Sequence, residues 1–199
     1  MARAGMASLI TELRGLTEAG TVDYSIAGSG GTTYYWSDDQ LQQIFDINRR
    51  DIYFEQLQIF PSQGVGGTLL YNDYRSQFGF FEETTGGTVI FYLQDSTGAN
   101  VGTAGYTPDY RRGQFTFGTT QAGSVYYATG RSYDMHAAAA DVWTRKASHL
   151  APTSFDFSTD NHSISRSQAY LHCVEMSRYF QGMSADAIQT IPMFRSDVD

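Results

Sequence analysis

Cysteine is nearly missing from this sequence: Cys173 is the only one in 199 residues. No intrachain disulfide can form, so nothing points to a small secreted scaffold held by disulfides. Long apolar runs are missing as well. The longest, Val89 to Leu93, is far too short to cross a bilayer. The opening residues Met1-Ala-Arg-Ala-Gly-Met6 lack the apolar stretch of a signal peptide. No membrane partner is therefore expected. Positive charge is scarce: 13 basic residues face 21 acidic ones, a formal net charge of −8. Duplex DNA is held by lysines and arginines that displace counterions, so an acidic chain is a poor DNA binder. The same charge does not exclude DNA passing close by without sticking.

The signatures of common chemistry are missing too. There is no phosphate loop, dinucleotide fingerprint, zinc-protease helix or nucleophile elbow. The histidines His136, His149, His162 and His172 are never spaced three or four apart, the spacing that lets two of them share a metal on one helix face. Asp156, Asp160 and Asn161 lack the alternating ligands and closing glutamate of a calcium loop and read as turn and cap residues. Glu82-Glu83 invites comparison with a sugar-cleaving carboxylate pair, but neighbours on an extended strand point to opposite faces. Cys173, between apolar residues, reads as a small buried side chain. With no convergent set of titratable groups, no enzyme activity, cofactor or metal is expected.

Aromatic residues are plentiful, 15% of the chain with 14 tyrosines, a composition common at interfaces because the ring buries area while the hydroxyl stays wet. The first helix is expected over 3–16, where Met6, Leu9, Ile10, Leu13 and Leu16 recur at helical spacing. A Gly/Ser-rich break follows, to Gly31. A second helix is expected from Ser37, where Ser37-Asp38-Asp39-Gln40 forms a capping box, with an end by Gln58 and Pro61 as the limit. Between about Gly67 and Gly130 the period drops to 2. Strands are expected at 68–71, 88–93, 102–106, 114–117 and 124–129, with turns at Gly86-Gly87, Ser96-Thr97-Gly98, Pro108-Asp109 and Arg112-Gly113.

The strongest helix signal is Arg131 to Leu150. Asp134 or Ser132 can cap it, four alanines (137–140) favour it, and Arg145, Lys146 and His149 suit its C-terminal end. After a loop over 151–163, a last helix is expected from about Ile164 to Gly182 with Ser163 as its cap. Candidate core residues are Leu41, Ile44, Phe45, Val142, Trp143, Leu171 and Val174. The doublets Arg49-Arg50 and Arg111-Arg112, with Arg145 and Lys146, are candidates for contacts between subunits. The expected class is α+β: a small helical bundle interrupted by an antiparallel β module. Its parts are N-terminal helices in 1–66, the β module in 67–130, C-terminal helices in 131–182 and an extended tail in 183–199. In that tail Ile188, Ile191, Pro192, Met193 and Phe194 are apolar residues suited to docking.

The capped acidic helix Ser37-Asp-Asp-Gln-Leu-Gln-Gln-Ile-Phe-Asp-Ile-Asn-Arg-Arg50 resembles that of the head–tail connector (adaptor, head-completion) proteins of tailed bacteriophages. Tyr133-Asp-Met-His-Ala-Ala-Ala-Ala-Asp-Val-Trp143, followed by Phe155-Asp-Phe-Ser158 and Arg166-Ser-Gln168, is similar to the second half of the same family. The resemblance covers 37–58 and 131–182; the long β insertion departs from the compact all-helical members. It implies a homo-oligomeric ring of typically about twelve copies beneath the portal protein. Viral DNA would thread the lumen, and the tail-side neck or tail proteins would dock below. The setting would be the virion, and the host cytoplasm during assembly. The tail residues Ile188 to Phe194 would then hold the portal or a neighbour, ordering on binding. A different reading starts from the aromatic, Gly-rich insertion alone: a virion binding module that recognises a host glycan or receptor through exposed rings.

Overall fold

A computed structural model of the chain describes residues 2–21, 25–28, 31–85, 89–153, 156–159, 162–165 and 167–184, of which 25–28, 31–34, 153, 156–159 and 162–165 are described by backbone alone. The class is α+β. Four α-helices accompany two antiparallel sheets, and two short hairpins, β1–β2 (Ser25–Gly28 and Gly31–Tyr34) and β10–β11 (Asp156–Thr159 and His162–Ser165), complete the described elements.

Helix α3 (Met135–Leu150) is the packing centre: α1 (Ala7–Thr17), α2 (Asp38–Ile47) and α4 (Ser167–Met183) all lie against it. The Asp134 carboxylate caps its first turn by accepting from the Ala137 amide at 2.9 Å. Ala138, Ala139 and Ala140 are buried, and their small side chains allow close helix approach, while Met135, Val142 and Trp143 fill the remaining space. Helix α1 contributes Leu9, Ile10 and Leu13, and α2 contributes Leu41, Ile44 and Phe45. The expected capping box is present in α2: the Gln40 amide donates to Ser37 Oγ while the Ser37 amide donates to Gln40 Oε1.

Between α2 and α3 run β3 (Arg49–Gln56), β4 (Gln58–Gln63), β5 (Leu69–Arg75), β6 (Tyr92–Asp95), β7 (Tyr106–Asp109), β8 (Gln114–Phe117) and β9 (Tyr126–Tyr133). They form a three-stranded sheet in the order β3-β9-β6 and a four-stranded sheet in the order β4-β5-β8-β7. A second core is mostly aromatic. Phe81 meets Phe91 edge-on with ring centres 5.2 Å apart, Phe91 stacks on Phe115 at 4.9 Å, and Tyr74 meets Tyr126 edge-on at 5.1 Å. Strand β9 ties the cores together: Tyr126 and Ala128 belong to the aromatic core and Tyr133 to the helical one.

Several element boundaries differ from those expected. Helix α2 stops at Ile47, not near Gln58. The Asn48 side chain donates to Ile44 O at 3.0 Å and its amide to Phe45 O at 2.9 Å, closing the last turn, and Arg49 onward pairs with β9. Pro61 lies inside β4. It sits where the register shifts between Phe60 and Ser62, on an edge strand, so its missing amide costs no ladder bond. Residues 103–105 form a 3-10 turn, and Pro108 and Asp109 belong to β7. The chain reverses after them, with Gly113 at φ +64. The Asp95–Gly98 turn is present, with Gly98 N donating to Asp95 O at 3.0 Å, but its return side makes only a bridge from Asn100 to Gln94. Arg131, Ser132 and Tyr133 extend β9 and are not helical. His162–Ser165 pairs with Asp156–Thr159, Phe157 opposite Ile164, so Ser163 is a strand residue and not the cap of α4.

Candidate functional site

Where the helical part meets the sheets, charged side chains converge. Arg3, just before α1, donates from Nε to Glu82 Oε1 at 2.8 Å and from its two terminal nitrogens to Asp46 of α2 at 3.1 and 2.6 Å. It also reaches the Tyr133 hydroxyl at 3.0 Å, and Tyr133 in turn donates to Glu82 Oε2 at 2.6 Å. Arg131 lies 3.5 Å from the same carboxylate oxygen. Glu82 is fully buried, so this pairing satisfies a charge that would otherwise be very costly. The Arg3 contact holds the Asp46 carboxyl below the usual range and raises the guanidinium further. Burial, reinforced by Glu82, pushes the Tyr133 phenol well above its ordinary value. Glu83 faces the other way and accepts from Ser8 Oγ at 2.6 Å, so the neighbouring glutamates do diverge. The cluster is a joint between two cores. Its only sequence trace is the Glu82-Glu83 pair; Arg3 and Tyr133 carry no local signal.

The arginine doublets serve different contacts. Arg50 pairs with Asp134, the cap of α3, at 2.9 Å, and Arg49 with Asp51 on its own strand at 2.9 Å. Arg111, in the turn after β7, reaches across to Glu12 of α1 at 2.7 Å, and Arg112 approaches Asp109 at 3.8 Å. The Arg111 side chain borders an open groove of about 660 Å³ along α1, with Ala7, Thr11 and Gly15 on its floor. An adjoining depression of about 440 Å³ carries Glu83, Asp109 and Tyr110. This face is therefore broad, shallow and mixed in charge, the character of a protein contact rim.

Lys146 corrects an expectation. It is buried and not free to face a neighbour: its ammonium donates to Thr17 O at 2.7 Å and Glu18 O at 2.9 Å, closing the C-terminal end of α1, and lies 4.9 Å from the centre of the Trp143 ring. Arg145 is half-buried on the next position of α3. Leu171 also departs from expectation: it is 52% exposed, because α4 turns Cys173 and Phe180 inward and leaves Leu171, Tyr179 and Met183 outside. Val174 is half-buried against the helical core. Leu41, Ile44, Phe45, Val142 and Trp143 lie inside it. The tail residues Ile188, Ile191, Pro192, Met193 and Phe194 lie outside the described residues, as do Phe155, Asp160, Asn161 and Arg166.

On the outer side of the β3-β9-β6 sheet, Phe54 stacks on Tyr127 with ring centres 4.0 Å apart, and Tyr92 stands opposite Thr129 on the same face. Tyr53 beside them is almost entirely exposed. Phe54 sits at the β3 irregularity with φ +52, and its amide is satisfied by Thr129 Oγ1 at 3.0 Å. Among the described residues, no group of three or more His, Cys, Asp or Glu side chains is placed to hold a metal ion, and no helix is long and apolar enough to cross a membrane. Compared with known proteins, the chain matches no family model, no curated protein and no solved structure.

Proposed function

We propose that this chain is a structural adaptor of the tailed-phage neck. It forms a ring beneath the portal, joins the DNA-filled head to the tail, and lets DNA pass through its lumen. The observation that carries this reading is that helices α2 and α3, taken from the two stretches resembling head–tail connectors, share one core. Asn48, ending α2, donates to Asp141 of α3 at 2.8 Å, the Asp134 amide donates to Asn48 O at 3.0 Å, and Phe45 meets Tyr133 edge-on. On this reading the four helices are the small helical bundle of the adaptor, with strands β3 to β9 inserted between α2 and α3. A net charge of −8 suits a lumen that repels DNA and keeps it mobile. The role is structural, without catalysis or cofactor, and is exercised in the virion after assembly in the host cytoplasm. Microscopy of particles made without the chain tests it. Filled heads that lack tails and leak DNA are expected; normal tailed particles would overturn the reading. Deleting residues 184–199 is expected to abolish attachment to portal-bearing heads while the remainder stays folded.

The exposed Tyr53 and the Phe54–Tyr127 stack beside Tyr92 favour a second reading, an aromatic surface that recognises a host glycan. Binding of the whole chain on a glycan array, lost on Tyr92→Ala, supports it; an array without signal removes it.

A further inference from the structure

Helix α4 ends against a small cavity. It holds about 170 Å³ and is walled by Arg50, Phe78, Phe80, Met135, His136 and Met183. Two observations say that it is built to be filled. Nδ1 of His136 is buried without a hydrogen-bond partner among the described residues, a cost that a polar group entering the cavity removes. Phe80 stands at φ +53, a conformation that a phenylalanine rarely adopts. It is held from both sides: its amide donates to Arg111 O at 3.0 Å, and its carbonyl accepts from the Tyr133 amide at 3.1 Å. Backbone strain kept in place by its surroundings is characteristic of clamps and switch regions.

Size and chain path say what fills it. The volume lies below the roughly 300 Å³ at which small-molecule pockets begin, so it suits one or two aliphatic side chains. Met183, on its wall, is the last residue of α4, and the Ser184 amide closes the final turn on Phe180 O at 3.0 Å. Residues 185–199 follow directly and lie outside the described residues. Ile188 is five residues beyond Met183, so its Cα lies within about 17 Å of that wall. A segment tethered this closely acts at an effective concentration of roughly millimolar, which a separate partner does not match. Charge agrees: 185–199 carries three aspartates and one arginine, and Arg50 brings a cation to the wall.

We propose that the chain's own C-terminal segment closes this cavity, seating Ile188 and Ile191 against its apolar wall and giving His136 Nδ1 its hydrogen-bond partner. The neck reading assigns the same apolar residues to the portal. On that reading the contact is autoinhibitory: it covers the docking residues until the portal displaces them. The contact itself does not depend on that reading, and its test needs only the purified full chain.

The one native thiol, Cys173, is buried, so introduced cysteines report cleanly. Gln77, also on the cavity lining, is exposed and takes the first label. A Gln77→Cys, Ala187→Cys variant treated with a short bis-maleimide is expected to link within single chains, at a rate that dilution leaves unchanged. Adding Ile188→Asp and Ile191→Asp keeps the tether but removes the seat, and the rate is expected to fall about tenfold or more. Links that form only between chains overturn the proposal, and so does a rate that the aspartates do not change. The imidazole nitrogen resonances of His136 give a second measurement. Nδ1 is expected to shift when 185–199 is deleted, and an unmoved resonance overturns the proposal. If intrachain links are absent while the tail deletion still blocks attachment to heads, the contact is removed and the neck reading stands. If the links form while particles made without the chain are normal, the contact stands and the neck reading is removed.

Discussion

The Tyr133 hydroxyl donates to the Glu82 carboxylate at 2.6 Å, at the seam between the helical and the aromatic core. Arg3 closes the triangle, 2.8 Å from Glu82 and 3.0 Å from Tyr133. Because Glu82 is fully buried, removing one partner strands the others. Arg3→Ala, which takes the nearest cation from the buried Glu82 carboxylate, is expected to cost about 3–5 kcal/mol and Tyr133→Phe about 1–2 kcal/mol in urea unfolding. The double variant should cost less than the sum, since the groups share one network. Additive losses would mean that the seam is two independent contacts.

The same burial sets an alkaline limit. Tyr74 and Tyr106 are pushed up to about 12 by burial, and Tyr133 is raised further by burial and by Glu82. A phenol whose native value lies above its unfolded value of about 10 contributes stability that is complete below pH ~10. That contribution drains away as pH climbs toward the native value, because the unfolded chain releases its protons first. Stability should therefore fall above pH ~10, with delayed phenolate absorbance in the native protein. Tyr133→Phe should flatten that fall. At the acid end the sign reverses: Asp46, held low by Arg3, contributes above pH ~4 and loses its contribution as pH drops below. Asp46→Asn should narrow the gap to wild type in acid.

Lys146, the only lysine of the chain, acts as a clasp between helices. Lys146→Met keeps most of the stem but leaves Thr17 O and Glu18 O without their ammonium donor, an expected loss of about 1–3 kcal/mol. Trp143→Ala should cost about 3–5 kcal/mol, as expected for a large buried ring. The ammonium sits 4.9 Å from that ring centre, so the two losses should not add. Both are read in thermal unfolding. Loss of assembly without loss of stability would place these side chains at a subunit contact after all.

What could be read from the sequence was local. The Ser37–Gln40 box and the Asp134 cap involve residues three apart, and both are present. The end of α2 was not legible, because it is decided by pairing of Arg49–Gln56 with Tyr127–Tyr133 far along the chain. The irregularity between Ile52 and Glu55 also breaks the alternation that marks a strand. Distance in sequence hid the joint as well: Arg3 and Glu82 are 79 residues apart, and Lys146 finds Thr17 across 129. Lys146 reads locally as a dipole-complementing residue near the end of its own helix, yet the helix end it satisfies is that of α1. Leu171 fits an apolar helical side, but among the described residues α4 packs mainly against α3, so part of that side stays outside.

The arginines allow assembly to be separated from folding. Arg111 pairs with Glu12 at 2.7 Å, but its side chain is 68% exposed and the Arg112 side chain 77%, so solvent screens both pairs. Such surface pairs are worth about 0–1 kcal/mol. The Arg111→Ala, Arg112→Ala variant should unfold within about 1 kcal/mol of wild type. Arg50→Ala differs, because Arg50 holds Asp134 where that residue caps α3, and about 1–2 kcal/mol should be lost. If the groove beside α1 meets a neighbour or the portal, the Arg111/Arg112 variant should bind more weakly. The deficit should shrink as salt rises, since the screened wild-type contact then loses its own electrostatic gain. Sedimentation and head-attachment assays across a salt series read this directly. Equal binding at low salt would take the doublet out of the interface and leave it as surface charge.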